Sequence, residues 1–221
     1  MLRMAGRNSQ HLFILHRTIP VISVVGYARK KTACRKCGGA MQTRKTTAVR
    51  ILKQSEIEEI LSQPDQKTQS GIRDLAILEL LAGAGLKVQE VLALRPEDLD
   101  LQISCVLLTR DGAQDDEKVR MVPFGKRTRK ALFNYLYLIR GSLTGPDDLL
   151  FPGRDGKMLS RQAVWKIVKK YAAAAGIQSP VSPEDLRTAL AVSLLDQGLE
   201  PEGVQEILGI RAAAMRKYLR K

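Results

Sequence analysis

The hydrophobic pattern leaves helical spacing at one place only, and that interruption limits the fold more than any other feature. Ile72, Leu75, Ala76, Leu78 and Leu81 fall on one face of a helix expected over residues 72–84. Between residues 101 and 109 the period shortens to two. Ile103, Cys105, Leu107 and Thr109 alternate with Gln102, Ser104, Val106 and Leu108, which suits a largely covered strand. Asp111-Gly112 offers a turn, and residues 118–123 supply a returning strand. Helical spacing then resumes to the end of the chain. The expected fold class is α-rich α+β, a helical bundle with one small antiparallel β-hairpin.

Punctuation places the remaining elements. Ser55 with Glu58 three residues on reads as a capping box opening a short helix to residue 61, and residues 63–71 read as a polar linker. A short helix follows over residues 88–94, then a turn at Arg95-Pro96-Glu97-Asp98. Further helices are expected at 127–139, 161–175 and 183–196. The last has Ser182 as N-cap, Pro183 in its first position and acidic residues in its first turn, and stops before Gly198. Helices at 201–208 and 212–219 close the chain.

Charge divides the chain in two. Residues 1–50 hold eleven Lys or Arg, among them Arg29, Lys30, Lys31, Arg35, Lys36, Arg44 and Lys45, and no Asp or Glu. Residues 51–221 hold 25 basic and 23 acidic side chains, a net of only +2. A cationic flexible arm (1–50) on a near-neutral domain (51–221) reads as a device for a polyanion, nucleic acid above all, because each phosphate contact releases counterions. The plain alternative is a solvated leader without a partner.

Other classes find little support. The apolar run at residues 19–25 falls far short of the ~20 residues that span a bilayer, so a soluble, cytoplasmic protein is expected. Three cysteines are too few for a disulfide framework. Cys34 and Cys37 form a lone C-x-x-C with half the ligands of a structural zinc site, and two free thiols are the simpler reading. No metal or cofactor is expected.

Specific strings then match a known family. Residues 80–94, Leu-Leu-Ala-Gly-Ala-Gly-Leu-Lys-Val-Gln-Glu-Val-Leu-Ala-Leu, with Asp98-Leu99-Asp100 after them, closely resemble the first signature box of the tyrosine recombinases, or phage integrases. Residues 118–123 look like the return strand of that family's hairpin. Ser182-Pro183-Glu184-Asp185-Leu186-Arg187 matches its second box, and residues 203–209 with Tyr218 beyond them resemble the third. The resemblance covers roughly residues 50–218 and implies a catalytic-domain fold of that family acting on DNA without cofactor. It also implies a chemistry. The tyrosine attacks a phosphate to give a 3′-phosphotyrosyl bond, two arginines grip the oxygens, a hairpin lysine protonates the leaving oxygen and histidines assist.

Position by position, this chain departs from that pattern. The first arginine falls on Lys87, which keeps the charge without the planar fork. The hairpin lysine, counted back from Arg120, falls on Asp115 in an acidic run, with Lys118 the nearest substitute. Arg187 matches the second arginine. Glu184 stands where histidine is usual, on the same helical face as Arg187 and able to pair with it. Ile210 replaces a histidine or tryptophan, and the only histidines in the chain are His11 and His16. Tyr218 comes one residue early, a rotation of about 100° on a helix, and an amphipathic tyrosine packed on the last helix is the plainer account. The family's preceding helical domain and trailing docking segment are expected to be missing, and the arm is too short and polar to replace the former.

Three readings compete: a DNA-binding recombinase-like domain with impaired chemistry, such as a mobile-element remnant or accessory factor; an active recombinase using Tyr218, Arg187 and Lys87; and a transcriptional regulator with a helix-turn-helix at residues 183–219. The first is preferred. DNA is the expected partner, with a second copy or a partner recombinase beside it.

Overall fold

A computed structural model describes residues 51–109, 119–142, 149–153 and 156–219, all within one unit, Thr47–Lys221. The arm cations, Cys34, Cys37, Asp115 and Lys118 lie outside the described residues.

The elements run α1 (Gln54–Ser62), α2 (Gln69–Ala82), α3 (Val88–Ala93), β1 (Leu99–Asp100), β2 (Cys105–Thr109), β3 (Val119–Pro123), α4 (Lys126–Leu138), α5 (Arg161–Ala174), α6 (Pro183–Asp196), α7 (Pro201–Leu208) and α8 (Ala212–Met215). Among the described residues no helix is long and apolar enough to cross a membrane.

α2 is the axis of the domain. It was expected to bury one face; instead Leu75 through Ala82 are all buried, because α1, α3, α4, α5 and α6 pack around it. A helix apolar on all sides belongs inside. It also starts earlier than expected. Thr68 Oγ1 accepts the Gly71 N–H at 3.0 Å, so the helix begins at Gln69, within the stretch expected to be linker. α1 likewise begins before Ser55. Glu56 Oε2 accepts the Lys53 N–H at 2.9 Å, and Ser55, the expected cap, sits inside the first turn.

The hairpin is present with an additional short edge strand, in the order β1-β2-β3, antiparallel throughout. Val106 pairs with Val122 and Leu108 with Arg120. The strand expected over residues 101–109 starts only at Cys105. Asp100 Oδ1 accepts the N–H groups of Gln102 and Ile103 at 2.8 and 3.0 Å, and Ser104 takes a φ of 57°. An aspartate that binds the backbone two residues on makes a turn rather than a strand.

Two carboxylates on α2 are buried. Asp74 accepts from the Tyr171 hydroxyl at 3.1 Å and from Arg73 Nη2 at 2.9 Å. Glu79 accepts from Thr128 at 3.0 Å and pairs with Arg127 Nε at 2.7 Å. Burial pushes the Glu79 carboxyl above its ordinary value of 4.5, against the opposing pull of Thr128 and Arg127. Since its folded pKa is the higher one, its stabilising contribution is complete below pH 4.5 and is lost as pH rises through the raised value. Glu79→Gln keeps an acceptor for Thr128 and removes the titration. Its unfolding free energy, measured in urea across this window, should fall less with pH than that of the parent. A variant that instead loses more stability at pH 7 than at pH 4.5 would show that the Arg127 pair outweighs desolvation.

Candidate active site

The site is assembled around the second turn of α6. Ser182 Oγ accepts the Asp185 N–H at 3.2 Å, and Asp185 Oδ2 accepts the Ser182 N–H at 2.8 Å. This reciprocal cap fixes the helix phase, and the phase turns Leu186, Arg187, Thr188 and Ala189 inward.

Arg187 is 3% exposed. Its Nη1 donates to the carbonyl of Gly85 and its Nη2 to that of Leu208, both closely. One guanidinium thus joins the turn after α2 to the last residue of α7. Both partners depend on left-handed glycines: Gly85 has φ 66° and Gly209 has φ 59°. A Cβ at Gly85 would collide with Leu208 and Leu190, and one at Gly209 would collide with the Arg120 guanidinium. Burial lowers the Arg187 pKa, countered by the charges of Glu90 and Glu184, while neighbouring Arg120 adds to the lowering. It stays protonated nonetheless.

Arg120 is the neighbour that sequence reading passed over as a mere strand residue. It alternates inward with Val122 on β3, is 7% exposed, and brings Nη2 to 2.7 Å from Glu90 Oε1. Neither of its Nη atoms finds a hydrogen bond of good geometry, so the contact is an ion pair off the donor axis. Glu90 serves Lys87 as well, accepting its backbone N–H at 2.8 Å and standing 3.7 Å from its Nζ. Lys87 is the N-cap residue of α3 with its side chain about half exposed. The signals for Arg120 and Glu90 were in the sequence: a cation in phase with a core valine, and a carboxylate three residues past a helix cap.

The other expected residues converge here too, with corrected partners. Glu184 does not pair with Arg187 across one helical turn; its Oε1 lies 3.0 Å from Lys217 Nζ, because the segment after α8 folds back over the start of α6. Lys217 Nζ also sits 4.5 Å from the centre of the Tyr218 ring. Burial alone would lower the Lys217 pKa, but the Tyr218 hydroxyl and Glu184 outweigh it and the net shift is upward. Tyr218 is 6% exposed and packs with Ala191, Val204, Leu208 and Met215. The helix expected at 212–219 ends at Met215, so Tyr218 lies in the turns beyond α8. Ile210 is a half-buried wall of the same apolar cluster.

Lys87, Arg187, Glu184, Ile210 and Tyr218, scattered in sequence from residue 87 to residue 218, thus surround one corner, together with Arg120, Glu90 and Lys217. Among the described residues no group of His, Cys, Asp and Glu could hold a metal. The corner carries four cations and two carboxylates, a net positive charge suited to an anion.

Residues 50–220 match the model of the phage integrase family. The chain belongs to this family. It is 37% identical over 163 residues to the tyrosine recombinase XerD of Listeria innocua, covering 72% of this chain and 54% of that protein. This phage integrase homologue therefore spans about half the length of the curated relatives it matches. The crystal structure of XerA recombinase superposes with a TM-score of 0.66 at 28% identity, over 77% of this chain and 60% of that one. XerH site-specific recombinase bound to difH substrate gives 0.67 at 24% identity over 77% and 50%, a likeness of fold. The described unit is the family's catalytic domain, helix-rich with a small three-stranded antiparallel sheet.

Arg187→Met would leave the Gly85 and Leu208 carbonyls without a donor and Glu90 and Glu184 with less counter-charge. We expect a loss of about 3–5 kcal/mol in urea unfolding. A loss below about 1 kcal/mol would show that the two carbonyl bonds do not hold this corner together.

Proposed function

We propose that this chain is a DNA-binding member of the tyrosine recombinases whose own strand-exchange chemistry is impaired. The observation that carries the reading is the state of Arg187. A phosphate-gripping arginine needs its planar fork directed at two oxygens; each Nη of Arg187 already donates one N–H to a backbone carbonyl, and at 3% exposure little of the remaining fork is open to a ligand. Lys87, at the other arginine position, offers a point charge shared with Glu90. Glu184, at a histidine position, is tied to Lys217, and Tyr218 lies with its ring in an apolar cluster. Losing one donor to a transition-state oxyanion commonly costs ~2.7–4 kcal/mol, a factor of about 10²–10³ in rate. Several such losses do not add, yet two together would leave little turnover. We assign this chain the role of occupying DNA beside a second copy or a competent recombinase.

The second reading, an active recombinase using Tyr218, draws support from the gathering of Tyr218, Arg187 and Lys87 in one corner. A helix-turn-helix regulator would need neither the sheet nor the Arg187 junction, and we set that reading aside.

Incubation with nicked suicide substrates should give no covalent protein–DNA adduct. A tyrosine-linked adduct that disappears in Tyr218→Phe would overturn the impaired reading and establish the active one.

Affinity for DNA we assign mainly to the cations of residues 1–50. Their deletion should flatten the fall of log affinity with log salt. Unchanged affinity and slope in the truncated protein would remove the arm from the reading.

A further inference from the structure

The outward face of α4 carries a feature that neither the core nor the corner around Arg187 uses. Lys126, Arg129, Lys130, Phe133 and Tyr137 fall within roughly 100° of arc at about 100° per residue, opposite the buried Thr128, Ala131, Leu132 and Tyr135. All five are exposed, Phe133 by 55% and Tyr137 by 77%. The two rings stack on one another, centroids 5.9 Å apart and planes within 5°. They form one apolar patch, with parallel ring planes, in line with the cations.

The charges on this helix run against its own stability. Four of its first five residues are cations and none of its thirteen is acidic, although the N-terminus of a helix favours negative charge. Arg127 is accounted for by buried Glu79. Lys126, Arg129 and Lys130 have no ion-pair partner among the described residues. A folding role explains neither these three cations nor two large rings left in water.

We infer that this stripe is a binding surface for single-stranded nucleic acid, with Lys126, Arg129 and Lys130 on successive phosphates and an unpaired base against the Phe133–Tyr137 patch. A basic track with aromatic side chains along it is how unpaired strands are held without sequence readout. Paired bases inside a duplex offer no free face to such rings. An anionic membrane would also attract the cations. An interfacial helix, however, turns a wide apolar face to the lipid, and the wide apolar face of α4 is already in the core. The stripe lies on the face of α4 opposite its buried residues and shares no side chain with the Arg187 corner, so the inference does not depend on the chemistry proposed there.

The test uses the full chain, with a labelled oligothymidylate, a duplex of equal length and phosphatidylserine vesicles as probes. Tyr137→Ala should weaken oligothymidylate binding about tenfold and leave duplex binding unchanged, and Tyr137→Phe should bind as the parent does. Replacing Lys126, Arg129 and Lys130 together by Gln should reduce the single-strand salt slope by about 2, at about 0.7 per phosphate. Unaltered thermal unfolding confirms that each variant is folded, as expected for exposed sites. The inference is overturned if oligothymidylate affinity is unchanged in the alanine variant, or if the single-strand salt slope is unchanged in the triple variant. It is also overturned if the losses are equal on duplex, or if vesicle binding alone is lost. The adduct assay above reads none of these, so either proposal can fail without the other.

Discussion

A guanidinium taken out of water demands full compensation, and in this domain the compensation for Arg187 dictates much of what surrounds it. Two donors meet the carbonyls of Gly85 and Leu208, and the negative fields of Glu90 and Glu184 reach the same group. Those carbonyls are available because a left-handed glycine redirects the chain next to each of them. The α2–α3 turn, the start of α6 and the end of α7 are consequently one mechanical unit. Removing the charge would strand two buried acceptors at once, which is costlier than losing a surface pair.

Legibility from sequence followed the range of the forces involved. The bounds of α6 and α7 were read without error, because Ser182, Pro183, Pro201 and Gly209 act within a turn of their own position. The hairpin was legible from alternation, but its first half was not: Asp100 diverts residues 101–104 into a turn by a local side-chain bond that competes with the pattern of alternating residues. The cap of α1 was misplaced because two overlapping Ser/Glu and Lys/Glu signals compete, and the one that closes onto Lys53 prevails.

Of the site, the family boxes pointed to Lys87, Glu184, Arg187 and Tyr218. What no box could supply was their pairing. Glu184 turns to Lys217, thirty-three residues away, rather than to Arg187 one turn away, since the fold-back after α8 is a tertiary event with no local signature. Arg120 escaped notice for a related reason. Its inward phase was visible in the strand, but the Glu90 carboxylate that makes an inward arginine tolerable lies on α3.

Glu90 is shared between Lys87 and Arg120, and the guanidinium of Arg120 fills the space a side chain at Gly209 would need. Neighbouring residues that share one partner respond to substitution jointly. An arginine introduced at position 87 would arrive to find its carboxylate already claimed. A side chain at position 209 would first require Arg120 to withdraw. Sequence change in this corner is therefore order-dependent: steps tolerated after a compensating replacement are blocked before it.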